Sequence, residues 1–293
     1  MNKRNNTNTN DSLSPLRYPG SKKKLIPYLI RILDKNDLKP SILVEPFAGG
    51  ASVSLHFLQY NLVSKVIIAD KDKLIYSFWH TLFNNPQHLV RFIRGVEISL
   101  ETYNKYKKIA KRTNGHSKQE LAETCIFLNR TSFSGILSNS AGPIGGPKQS
   151  SKYKIHCRFN RQRLIENIIY ISTFRKKVIV LPYDWKRTIK YAKNWANKAK
   201  MIDKIFFYFD PPFYYKAERL YRKFFNAGDH KRLSKKILSL RHDWILSYDN
   251  AKEVKKLYSK NRCHIELPYS INSHAKRLEK ELIITPLSLP RMK

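Results

Sequence analysis

Three cysteines in 293 residues, none of them in a C-x-x-C spacing, offer neither a disulfide framework nor a zinc site. Cys125, Cys157 and Cys263 are odd in number and far apart, and no metal centre is expected. No apolar run approaches the roughly 18 residues of a membrane-spanning helix, and no hydrophobic signal segment stands at the N-terminus, so a soluble intracellular protein is expected. The G-x-G-x-x-G fingerprint of dinucleotide sites is missing as well. Acidic residues are scarce: 22 Asp and Glu stand against 56 Lys and Arg, a formal net charge of +34. AT-rich codons favour Lys, Asn, Ile and Tyr but do not deplete acids, so the imbalance points to a polyanionic partner, nucleic acid. A membrane surface is the weaker alternative, because no basic amphipathic helix with a strong apolar face is evident.

What the chain does hold is an apolar run that ends in a carboxylate. Ile205-Phe206-Phe207-Tyr208-Phe209 has the pattern of a strand buried on both faces of a parallel sheet. In Asp210-Pro211-Pro212-Phe213 the two prolines stop that strand and deliver Asp210 to its C-terminal edge, where ligands bind in open α/β sheets. An exocyclic base amine is a poor nucleophile, because its lone pair is delocalised into the ring. Asp210 can accept one amine N–H and the Pro211 carbonyl, held by a rigid backbone, the other, while Phe213 can stack on a base flipped from its helix. The same tetrapeptide serves equally well as a turn in which the Asp caps the next N–H. A cofactor site elsewhere in the chain decides between the two.

Such a site is expected near the N-terminus. Ile42-Leu43-Val44-Glu45 predicts a buried strand, Pro46 to Ser52 a glycine-containing turn and Val53 to Tyr60 a helix. That is the first βα unit of a nucleotide-binding sheet, in which small residues let the backbone approach a cofactor. Lys65 to Ala69 gives a second strand ending in Asp70, 21 residues beyond Gly49, the separation at which an acid grips a ribose diol. Without a dinucleotide fingerprint, the expected cofactor is an adenosine lacking a pyrophosphate. Upstream, Arg17-Tyr18-Pro19-Gly20-Ser21-Lys22 runs into a helix with Pro27 in its first turn, so Lys22 and the helix-start N–H groups can meet a carboxylate. Lys177 to Leu181 predicts another strand, followed by Asp184, which either bonds a cofactor's adenine amine or caps the helix beginning at Trp185.

Arg17 to Lys22, Glu45-Pro46-Phe47-Ala48-Gly49-Gly50, Asp70 and Asp210-Pro211-Pro212-Phe213 together resemble the D12 class of N6-adenine DNA methyltransferases, to which the Dam-type enzymes belong. The resemblance covers about Leu16 to Pro286 in the motif order of the family's α group. It implies an α/β fold, a Rossmann-like S-adenosylmethionine-dependent methyltransferase sheet of about seven strands with an inserted helical and loop target-recognition lobe. It implies methyl transfer from S-adenosylmethionine to adenine N6 in duplex DNA. By the same similarity Tyr18, Lys22, Glu45, Phe47, Gly49, Asp70, Asp184 and Asp210 contact the cofactor, and Asp210, Pro211 and Phe213 are catalytic. Tyr18 stands where the family often has Trp and Phe213 where it usually has Tyr, and both keep an aromatic face. A Phe ending also occurs in RNA guanine-N2 methyltransferases. That reaction and cytosine-N4 methylation of DNA are therefore the alternatives, with a catalytically inactive DNA-binding protein as the rival of another class.

Helices are expected over Leu74–Phe83, Pro86–Val96, Leu100–Lys111 and Lys118–Leu128. Between Thr124 and Ile165 there is no carboxylate, and Ser138 to Ser151 has the Gly, Ser and Pro content of a mobile surface loop. Lys148, Lys152 and Lys154 can neutralise phosphates there, Asn129, Arg130 and Ser132 can reach base edges, and Phe133 can wedge a base step. A solvated loop with incidental charge is the alternative. The expected partition is a disordered leader at 1–14, a catalytic domain at 15–82 and 163–293, and a target-recognition insertion at 83–162. Tyr214 to Asn226, aromatic and basic, suits a loop that closes over a flipped base. Trp244–Ser247, Ile265–Leu267 and Glu281–Thr285 predict the remaining strands. Expected partners are double-stranded DNA and, in a restriction-modification setting, a cognate restriction endonuclease; the expected location is the cytoplasm, in association with the nucleoid.

Overall fold

The structure, a computed structural model, describes residues 13–17, 22–215, 217–259, 263–272 and 275–291, with 263–272 and 275–280 described by their backbone alone. Of the expected features, Tyr18 and residues 1–12 of the leader lie outside the described residues. The strands are β1 (Ile42–Glu45), β2 (Lys65–Ala69), β3 (Val178–Leu181), β4 (Ile205–Phe209), β5 (Asp243–Asp249), β6 (Cys263–Asn272) and β7 (Ala275–Thr285). They form one mixed, mostly parallel sheet in the order β3-β2-β1-β4-β5-β7-β6. β1 to β5 pair in parallel, and β7 joins β5 and β6 antiparallel.

Burial explains the composition of the central strands. Every residue of β1 and β4 is buried, because helices cover both faces of the sheet, so each strand is a continuous apolar run and not an alternating one. Successive side chains still go to opposite faces. Leu43, Phe206 and Tyr208 enter one core, while Ile42, Val44, Phe207 and Phe209 enter the other.

The first core is covered by α1 (Ile26–Lys35), α2 (Ser52–Gln59), α3 (Lys73–Asn84), α4 (Pro86–Gly95), α5 (Leu100–Lys111), α6 (Lys118–Thr131) and α7 (Arg161–Ser172). The second is covered by α8 (Trp185–Lys198), α10 (Ala227–Leu238) and α11 (Lys252–Leu257), with the single turn α9 (Ala217–Leu220) between β4 and α10. The helices between β2 and β3 share their core with the sheet, since Trp79, Ile126 and Phe127 belong to the cluster that holds Leu43 and Val66. Among the described residues no helix is long and apolar enough to cross a membrane.

Helix α6 runs to Thr131, past the expected end at Leu128. The Thr124 and Thr131 hydroxyls donate back to the carbonyls of Glu120 and Phe127 at 2.8 and 2.7 Å, so two polar side chains are satisfied without leaving the helix.

The strand order reverses between β1 and β4, which are hydrogen-bonded neighbours in register from Ile42↔Ile205 to Val44↔Phe207. The chain leaves β1 toward β2 and leaves β4 toward β5. Their carboxyl ends therefore diverge, and the crevice between them is where open α/β sheets hold ligands.

Candidate active site

Asp210 follows β4 at this crevice, with Pro211 buried behind it and Phe213 half-buried. Its Oδ1 accepts from Lys22 Nζ at 2.8 Å and from the Ser247 hydroxyl at 3.1 Å. Lys22 comes from a 3-10 turn, Lys22–Leu25, that leads into α1, and it also pairs with Glu281 Oε1 at 2.9 Å. Ser247 has one proton; giving it to Asp210 leaves the Tyr208 hydroxyl, 2.8 Å away, to donate to Ser247. Burial pushes the Asp210 carboxyl above the ordinary carboxylate range, and the Lys22 ammonium pulls against it. Burial also pulls the Lys22 ammonium down, but the two carboxylates outweigh it and hold it well above its usual range. Glu281, buried in β7 just before its apolar end Leu282-Ile283-Ile284, is pushed up to about 7 by burial. Phe213 meets Tyr221 edge to face at 5.8 Å and lies 5.7 Å from Lys22 Nζ. Beyond the motif, Asp249 Oδ1 accepts from the Tyr214 N–H at 2.8 Å and fixes the path of the chain.

The glycine turn after β1 is held from three sides. Ala48 N–H donates to the Ala69 carbonyl at 2.9 Å, Trp79 Nε1–H donates to the Gly49 carbonyl at 2.9 Å, and Asp70 Oδ2 accepts from Gly49 N–H at 3.1 Å. Gly49 has φ 44°, a conformation that a side chain would strain. The other Asp70 oxygen accepts from Asp72 N–H at 2.8 Å. Burial, with the neighbouring Asp72, pushes the Asp70 carboxyl up to about 7. Glu45, at the end of β1, is buried and accepts from both the backbone N–H and the hydroxyl of Ser54. Burial outweighs those bonds and pushes it up to about 8.

Two connected hollows join these parts. A cavity of about 510 Å³ is lined by Phe47, Asp70, Asp184, Asp210 and Pro212 and covered by Tyr221 to Phe225. A small recess beside it is lined by Lys22, Glu45 and Gly49, and shares Phe47 and Asp210 with the cavity. The cover is anchored at two points: Phe225 packs edge to face on Phe47 at 5.7 Å, and Arg222 Nε pairs with Asp72 Oδ2 at 3.1 Å. Asp184 is the N-cap of α8, its Oδ1 accepting from Arg187 N–H at 2.9 Å, and the same residue lines the cavity. The volume lies within the range of small-molecule sites. The site thus gathers Lys22, Glu45, Phe47, Gly49, Asp70, Asp184 and Asp210 from segments far apart in sequence. Glu281, Ser247 and Tyr208 escaped the sequence reading. A charge heading the apolar run Leu282-Ile283-Ile284 was the one available signal, and nothing in its spacing names Lys22 as its partner.

The structure corrects three of the expected DNA contacts. Asn129 is fully buried: its Nδ2 donates to the carbonyls of Arg17 at 2.7 Å and Gly135 at 2.9 Å, and its Oδ1 accepts from Arg17 N–H at 2.7 Å. The Arg130 guanidinium donates to the Pro15 carbonyl, through Nε at 2.7 Å and through Nη2, and burial lowers it to about 10. Ser132 is buried against the Tyr103 hydroxyl at 3.3 Å. The segment 15–17 covers the last turn of α6, so these polar side chains serve its backbone and not a base edge. Lys148, Lys152 and Lys154 are exposed, as is Phe133 at 65%. The loop that carries the lysines is knitted, not free: Gln149 Nε2 donates to the carbonyls of Ile144 and Gly146 at 2.7 Å each, and its Oε1 accepts from Ile155 N–H at 2.8 Å.

A mostly parallel α/β sheet with a covered cavity at its switch point, and an Asp-Pro-Pro-Phe motif on the cavity wall, defines a chain built to hold a small ligand against a carboxylate. The family model of the D12 class N6 adenine-specific DNA methyltransferases matches residues 18–271, and the chain belongs to that family. It is accordingly a methyltransferase that acts on adenine N6 in DNA. No curated protein matches the chain.

Proposed function

We propose that this enzyme methylates adenine at one short sequence of duplex DNA, with S-adenosylmethionine as methyl donor and Asp210 as the group that activates the target amine. The observation that carries this reading is the position of Asp210 on the wall shared by the large cavity and the recess, held there by Lys22 and Ser247. The donor set suits the cofactor. Asp70 and Asp184 offer acceptors for a ribose diol and an adenine amine, Phe47 and Phe225 an aromatic wall, and Glu45 and Lys22 a carboxyl and an ammonium for an amino-acid end. When bound, S-adenosylmethionine supplies a methyl group on a sulfonium.

The residues of the chain do the rest. Lys22 and Ser247 both engage Oδ1 of Asp210, which leaves Oδ2 to accept one N–H of the flipped-out amine. The Pro211 carbonyl accepts the other, and the amine lone pair is thereby withdrawn from the ring and aimed along the transfer axis. Phe213 stacks on the base, and Asp210 takes the proton the nitrogen releases as the N–C bond forms. Tyr221 to Phe225 close the cavity against water. Residues 83–162 form the target-recognition lobe, whose exposed Lys148, Lys152, Lys154 and Phe133 support a contact with the duplex.

The test is expression in a methylation-deficient host followed by long-read sequencing with adenine-modification detection. Methyladenine confined to one short motif is expected, the mark that a solitary methylase and the modification enzyme of a restriction-modification pair both leave. An unmodified genome with folded, cofactor-binding enzyme present would overturn the reading.

A further inference from the structure

The groove between α8 and α10 takes no part in the chemistry above. It encloses about 710 Å³, and its walls carry Lys186, Lys190 and Lys193 from α8 and Arg232, Lys235 and Lys236 from α10. On α8 the cations recur at i, i+4 and i+7, and on α10 at i, i+3 and i+4, so each helix places its row on one face and the two rows look at each other. All six residues are exposed. Trp185 and Ile189, both buried, lie at the base of the groove.

The charge is not answered from within. Helix α8 contains no acid between Trp185 and Lys198. The first turn of α10 has Asp229, but that carboxylate caps the helix by accepting from Asn226 N–H at 3.1 Å and pairs with Arg232 at 2.6 Å. Among the described residues no ion pair engages Lys186, Lys190, Lys193, Lys235 or Lys236. Facing rows of like charge repel one another, and an extended anion along the groove removes that repulsion. A single small anion neutralises one or two cations, whereas two rows, each spanning more than one helical turn of about 5.4 Å, match a strand with a phosphate about every 3.4 Å of axis.

The groove opens on the large cavity, with which it shares Trp185, Lys186 and Arg232. It lies on the face of the sheet opposite α3–α7 and the proposed target-recognition lobe. We propose that it binds the phosphate backbone of DNA flanking the methylated site, a second contact surface reached only by a duplex long enough to pass the sheet edge. The inference rests on the proposed DNA-methylating function.

The experiment compares the full chain with the K190Q/K193Q/K235Q/K236Q variant, none of whose sites lines the large cavity. Binding is measured by fluorescence anisotropy against salt on motif-centred duplexes of about 14 and about 40 base pairs, roughly 48 and 136 Å at 3.4 Å per step. A K35Q/K39Q/K252Q/K256Q control removes the same charge from other exposed positions. The groove variant is expected to bind the long duplex at least about tenfold more weakly at 0.1 M salt, with a log–log salt slope shallower by about 3.6. The control stays close to the parent, and methylation of the short duplex is unchanged in both. Equal slopes for parent and groove variant on the long duplex overturn the proposal, as does a loss confined to single-stranded RNA of the same length. Failure of the parent reading looks different: the unaltered chain would then methylate neither duplex.

Discussion

Lys22 brings one ammonium to two carboxylates, Asp210 at 2.8 Å and Glu281 at 2.9 Å, and that sharing sets the basicity of the group proposed to take the amine proton. Asp210 must be ionised to act. Burial raises its pKa and Lys22 lowers it, so Lys22→Met is expected to move the acid limb of the kcat profile to higher pH. Glu281→Gln removes the rival carboxylate and should move the same limb to lower pH. Profiles of the two variants at saturating substrate check this, and displacements in one direction would refute the shared-ammonium arrangement. Glu45 allows a separate test through stability. Its folded pKa, about 8, lies above that of the unfolded chain, near 4.3. Below the lower value both states hold the proton. As pH rises toward 8 the unfolded state releases it first, so the folded state holds more protons and stability falls. Glu45→Gln keeps an acceptor for Ser54 and removes the titration, so its Tm is expected to decline less than the parent's from about pH 5 to about pH 9. Equal declines would show that Glu45 does not carry the effect.

Between elements, the joint that matters most is the one where the segment 15–17 lies on the end of α6. It is fixed by Asn129 and by the close approach of Gly135, where a Cβ would meet the Arg17 carbonyl and where φ is +73°. Gly135→Ala is expected to destabilise the protein by about 1–3 kcal/mol and to weaken cofactor binding, because Lys22 follows this segment, while leaving the methylated motif unchanged. Thermal melts and motif sequencing of the variant check both parts, and a changed motif at unchanged stability would return this turn to base recognition. The same joint is invisible in the sequence for a physical reason. Asn129-Arg130-Thr131-Ser132 is a polar run beside a basic stretch, and only the fold reveals that another segment covers it. Gln149 is a parallel case, since composition describes a Gly, Ser and Pro loop but not one side chain that ties its turns together. The strands and the Asp210 and Asp70 positions were legible, because buried parallel strands demand continuous apolar runs that end abruptly at the crevice. The placement of β7 between β5 and β6 was not, because antiparallel pairing over long range leaves no local mark.

For the molecule as a whole the governing quantity is a net charge of +34. It acts with opposite sign on two observables. In the free protein the charges repel and oppose compaction, and salt relieves this as the Debye length shrinks from roughly 10 Å at 0.1 M to roughly 3 Å at 1 M. In the complex the same charges displace counterions from DNA, and salt removes that driving force. The Tm of the free enzyme is therefore expected to rise between about 0.05 and 0.5 M NaCl, while DNA affinity falls by at least about a hundred-thousandfold over the same range if six or more phosphates are neutralised. Melting and binding titrations in one salt series decide the matter. If the Tm fell along with the affinity, the cations would already be compensated within the fold, and the acid-poor composition would lose its explanation as a surface kept for a polyanion.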